Sequence, residues 1–65
     1  MMTFRVRLDD AVVLEDEAET LEAATARAID ATTARSRSDR HDYVLDERVG
    51  AAWRPRVTIH PPSRW

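Results

Sequence analysis

At 65 residues the chain is one domain, close to the lower size limit for folding without help, and it has no cysteine. That excludes a disulfide framework and a thiolate metal site. The net charge of −2 falls far short of a dedicated DNA-binding domain, and a core this small supplies only about 3–5 kcal/mol, so self-association or docking on a partner is expected.

The charge is uneven. Residues 1–34 hold three Arg against eight acids, a net of −5, and residues 35–65 hold seven Arg against four acids, a net of +3. Such a division suits an anionic partner or head-to-tail self-association. All ten basic residues are Arg, for which GC-rich coding is the simplest explanation. Arg5 and Arg7 interrupt the only apolar N-terminal stretch, so neither a signal peptide nor a membrane span is expected, and the location expected is cytoplasmic.

From Thr3 to Glu15 polarity alternates. Phe4, Val6, Leu8, Val12 and Leu14 point one way, and Arg5, Arg7, Asp9, Val13 and Glu15 the other. Asp9-Asp10 reads either as a bulge in one long strand or as the turn of a hairpin from 4–8 to 11–15. With no Gly to supply a positive φ, the continuous strand is preferred.

Asp16 to about Arg35 is free of Gly and Pro and rich in Ala, Glu and Arg, which predicts a helix. Asp16 and Glu19 suggest a capping box, and the early carboxylates and late arginines match the macrodipole. Helical spacing places Ala18, Leu21, Thr25, Ala28, Ile29 and Thr32 on the inner face. Leu21 and Ile29 are its only large members, so the helix should lie close against a sheet.

Residues 36–41 read as a polar connector. Asp42 to Val49 forms a strand, with Tyr43, Leu45 and Val49 opposite in parity to Val44, Asp46 and Arg48. Gly50-Ala51-Ala52 is the expected loop into a strand from Trp53 to His60, where Trp53, Val57 and Ile59 face the core. That register opposes Leu45 to Val57, Asp46 to Arg56 and Asp42 to His60, all favourable, and Arg48 to Arg54, which is not. Pro55 cannot donate to a ladder, so either this strand lies at a sheet edge or Pro55 faces an unpaired side. Pro61-Pro62 ends the strand, leaving 61–65 as an extended tail.

The expected fold is therefore a single α+β domain over residues 1–60 in the order β-α-β-β, in which one amphipathic helix covers one face of a small three-stranded sheet, whose first strand is the ambiguous one. The other face is left open. Arg5, Arg7, Arg48, Arg54 and Arg56 are expected on it, and their planar donor forks suit carboxylates or phosphates. Single-strand binders add exposed aromatics, whereas Phe4, Tyr43 and Trp53 have core parity here. A mixed-charge, protein-binding surface is therefore favoured over a nucleic-acid one. In the tail, Arg64 and Trp65 are candidates for an intermolecular contact.

His41, Asp42 and His60 lack the spacing of a metal site, and an ordinary ion pair between Asp42 and His60 is the better reading. No Gly-rich phosphate loop, GxSxG or HExxH occurs, and one helix with three strands scarcely walls off a pocket. The expectation is thus a non-catalytic interaction or accessory module without a cofactor, binding protein or its own copies, with nucleic acid as the alternative. Neither a membrane nor a small-molecule substrate is expected.

Overall fold

Two short hairpins flank a single helix in the computed structural model, which describes the backbone of residues 1–39 and 42–60 and the side chains of 1–33 and 42–60. The elements are β1 (Met2–Leu8), β2 (Ala11–Ala18), α1 (Leu21–Asp39), β3 (Tyr43–Val49) and β4 (Ala52–Ile59). They build a small α+β fold, one helix on a four-stranded antiparallel sheet ordered β2-β1-β3-β4.

The expected first strand is thus two. Asp9 takes a φ of 54° at the turn, the left-handed conformation in which Asp is one of the few tolerated side chains. An Asp-Asp turn can therefore fold without glycine, and the continuous strand is overturned. The β1–β2 ladder runs from Leu8↔Ala11 to Met2↔Ala18, with an irregularity between Val6 and Arg7 that leaves Val13 as the extra residue. That bulge reverses the expected parity of two residues. Val12 sits opposite Arg7 and is half exposed, while Val13 packs against the core.

Pairing up to Ala18 also delays the helix. Asp16 and Glu17 are strand residues, so the expected Asp16–Glu19 capping box does not form. Thr20 caps the helix instead: its Oγ1 accepts a hydrogen bond from the Ala23 amide at 3.1 Å, and its carbonyl accepts the first helical bond from Ala24.

The helix buries Ala24, Ala28 and Thr32, with Leu21 and Thr25 beside them. These side chains are small, as expected for a close approach. Ile29 is 47% exposed rather than on the inner face, because the buried stripe runs through 24, 28 and 32; Ala24 takes the inner place, while Leu21, Thr25, Ala28 and Thr32 lie where expected. The buried Thr32 hydroxyl is satisfied within the helix, donating to the Ala28 carbonyl at 2.8 Å. Phe4, Val6, Ala18, Tyr43, Leu45 and Ile59 complete the core beneath it. Each large side chain among them stabilises the fold by about 1.5–3 kcal/mol.

The second hairpin turns on Gly50-Ala51, since Val49 already pairs with Ala52. Gly50 has a φ of 62°, which this tight loop requires. Leu45 does oppose Val57, but a register shift between Leu45 and Asp46 leaves Arg56 as an extra residue. Asp46 therefore faces Pro55, Glu47 faces Arg54 and Arg48 faces Trp53. The expected Asp46–Arg56 and Arg48–Arg54 oppositions do not occur. β4 is an outer strand, in keeping with Pro55.

Candidate interaction face

Directly paired residues share a sheet face, so the ladders sort the strand side chains. Phe4 and Val6 lie under the helix; Asp16, Leu14, Glu47, Leu45, Arg54 and Val57 share their side. The other face carries Arg5, Arg7, Val12, Glu15, Glu17, Val44, Asp46, Arg48, Trp53, Pro55 and Thr58. No described helix covers it.

Asp46 is the centre of that face. It lies between β1 and β4, and Arg5 and Arg7 close over it, their Nε atoms donating to Oδ2 at 2.8 and 2.7 Å. The result is a carboxylate 1% exposed on the uncovered side of the sheet. Its Oδ1 is buried without a hydrogen-bond partner among the described residues. Burial alone pushes this carboxyl up. It is outweighed by the hydrogen bonds from Arg7 and then Arg5, together with their charges, which hold Asp46 below its ordinary value.

Both arginines are bound through Nε, so the Nη ends are turned to other uses. Arg7 Nη1 donates to the Asp9 carbonyl at 3.1 Å and braces the first turn. The Arg5 guanidinium lies 4.6 Å from the centre of the Trp53 ring. Arg48 approaches the same ring at 5.8 Å while its Nε donates to the Gly50 carbonyl at 3.2 Å. Trp53 thus has two guanidinium groups within cation–π reach of its ring, an arrangement with favourable attraction.

Trp53 is the residue that sequence reasoning placed wrongly. It is half-buried on the open face, not in the core, because the extra Arg56 shifts the parity of everything before it in β4. A signal was present: the expected register opposed Arg48 to Arg54, and the observed one removes that clash by seating Trp53 beside Arg48.

The five strand arginines do not act together. Arg5, Arg7 and Arg48 share the open face. Arg54 shares the helix side with Glu47, and Arg56 bonds Glu47 in a part-exposed ion pair. Against the three arginines of the open face stand Asp46, Glu15 and Glu17, so it is close to neutral. Arg64 and Trp65 lie outside the described residues.

Asp42 and His60 do meet, with His60 Nδ1 3.2 Å from Asp42 Oδ1 in an exposed pair. His41 lies outside the described residues, and no group of three potential ligands suited to a metal ion occurs among those described. No described helix is long and apolar enough to cross a membrane. Comparison with protein-family models, with curated proteins and with solved structures gave no match to this chain.

Proposed function

We propose that this chain is a non-catalytic protein-interaction module whose partner docks on the open sheet face, with Trp53, Arg5 and Arg48 at the centre of the contact. The observation that carries this reading is the cluster of Arg5 and Arg48 about the Trp53 ring on a face no described helix covers. Trp and Arg are the residues on which interface energy concentrates, and here Asp46 already holds Arg5 in place, which lowers the entropy lost on binding. The balance of three arginines with three carboxylates suits a protein surface of mixed charge better than a polyanion. No cofactor is called for.

Nucleic acid is the second reading, and Trp53 is what favours it. An aromatic side chain beside arginines on a sheet face is how single strands are stacked and held.

The test is co-purification with full-length wild type and with Trp53→Ala, at low salt and at about 0.5 M salt. A protein partner retained at high salt by wild type and lost from Trp53→Ala supports the first reading. Nucleic acid released steeply by salt supports the second. A set of bound molecules unchanged by Trp53→Ala would reject the open face as the binding surface.

A further inference from the structure

The sheet ends in two unlike edges. β2 and β4 are its outer strands, and among the described residues no strand lies beyond either. An unpaired edge offers its N–H and C=O groups to any strand of suitable direction, so the flanking side chains decide what pairs. The β2 edge carries Glu15, Asp16 and Glu17 in succession. The β4 edge carries Arg54 and Arg56, and Arg48 reaches toward it through its contact with the Trp53 ring.

We propose that a second copy of this chain adds its β2 edge to the β4 edge of the first, extending the sheet head to tail as β2-β1-β3-β4-β2-β1-β3-β4. This goes beyond the open-face reading: it concerns the strand edges and a different partner, and it holds whatever the open face binds.

Direction permits it. β1 runs antiparallel to β2 and β3, and β4 antiparallel to β3, so β4 and β2 point opposite ways. A copy in the same orientation therefore presents β2 antiparallel to β4, with its helix on the same side of the extended sheet.

Register permits it as well. Both strands have eight residues, and setting Ala52 opposite Ala18 and Ile59 opposite Ala11 uses each in full. Trp53 then meets Glu17, Arg54 meets Asp16, Pro55 meets Glu15 and Thr58 meets Val12. Each of these pairs joins residues of the same face. Arg56 then faces Leu14 and Val57 faces Val13, so the two extra residues fall on adjacent rungs and the faces match on both sides of them. A slip by one residue would set each side chain against the opposite face. Pro55 has no N–H to offer, which removes at most one donor from the new ladder.

Charge then selects this pairing over the symmetric ones. Joining β2 to β2 sets acid against acid, and joining β4 to β4 sets arginine against arginine; only β2 on β4 opposes unlike charges. Other charges border the join. Arg27 approaches Asp16 at 3.3 Å, and Glu47 is bonded to Arg56. Arg54, Glu15 and Glu17 are left without an ion pair within the chain among the described residues. A contact between unlike edges adds copies into a ring or an open chain rather than a closed dimer.

Sedimentation velocity of the full chain over a concentration series tests this. Wild type is expected to form species larger than a dimer as concentration rises, and to lose them at about 0.5 M salt. Arg54→Glu, and separately Glu15→Arg with Glu17→Arg, should each move the onset to at least about tenfold higher concentration. Among the described residues none of these side chains makes an ion pair that the substitution would break, and far-UV circular dichroism checks that each chain folds; Glu17→Arg alone replaces the double variant if that one does not. An equimolar mixture of the two variants leaves one wild-type join, the β2 edge of the Arg54→Glu chain on the β4 edge of the other, so it should form mixed dimers at the wild-type onset and stop there. A wild type that stays monomeric throughout overturns the proposal. So does a discrete dimer abolished by only one of the variants, or a mixture of folded variants that recovers nothing.

Discussion

Replacing Asp46 by Asn tests whether the arginine-clasped carboxylate holds β1 and β3 together. The substitution keeps the shape and one acceptor oxygen but removes the charge. In the native chain Oδ2 takes two charge-assisted hydrogen bonds, at 2.8 Å from Arg5 and 2.7 Å from Arg7. Bonds of this kind contribute about 1.5–3 kcal/mol each, and a neutral acceptor retains roughly half of that. The expected loss is about 1.5–3 kcal/mol. It should fall toward the lower end, because the guanidinium side chains are 27% and 29% exposed and recover some hydration. For a domain with about 3–5 kcal/mol in total, such a loss moves a urea midpoint a long way.

The pH dependence supplies an independent check. The folded carboxyl lies below its ordinary value of 3.8, so the unfolded chain takes up this proton first as the solution is acidified. The contribution is therefore fully present above the ordinary value and is lost as pH falls through the folded one. Urea titrations of wild type and Asp46→Asn at about pH 7 and at successive steps down to about pH 3 should show a gap that narrows only in the acid range. Titrations common to both chains cancel in that difference. A gap under about 0.5 kcal/mol at neutral pH, or one that stays constant into acid, would refute the reasoning.

Ile29→Ala should change stability by less than about 0.5 kcal/mol because the side chain is half exposed, while Ala28→Leu should cost about 1–3 kcal/mol by overfilling the helix–sheet contact; thermal unfolding of both distinguishes them. Gly50→Ala meets no atom within 4 Å, so its cost should be the backbone's alone, about 1–2 kcal/mol in a urea titration. A double-mutant cycle on Glu47 and Arg56 should give favourable coupling of roughly 0.2–1 kcal/mol that weakens with salt. The same cycle on Asp46 and Arg56 should give none, since those residues are not paired in the ladder.

The elements that follow from simple periodicity were legible in the residues. The helix with its small inner face, the alternation of Phe4 and Val6, the Leu45–Val57 opposition and the Asp42–His60 contact all emerge from spacing. What the spacing hides is the two bulges. Each adds one residue to one strand, and a period of two carries no warning when the count slips by one. Val13 therefore enters the core where Val12 was expected, and Trp53 leaves it for the open face. The helix start was obscured for a related reason. Asp16 and Glu17 have good helix-terminus chemistry, but pairing with β1 continues to Ala18 and holds them extended. Local preference lost to the hairpin ladder, in which Asp16 pairs with Phe4 and Glu17 with Thr3. The arginine-clasped Asp46 could not be foreseen either, since it joins side chains about 40 residues apart that only the sheet order brings together.

That sheet order also dictates how the chain must find its fold. Both hairpins close through two-residue turns and need only neighbouring residues, events that take about 1–10 μs. The β1–β3 seam is different, for Arg5 must find Asp46 across 41 positions with the helix in between. Loop-closure entropy is spent there, so the joining of two preformed hairpins is expected to limit the folding rate. Asp46→Asn, placed on that seam, would then slow refolding more than it speeds unfolding in stopped-flow measurements; the reverse result would put the seam's formation after the barrier.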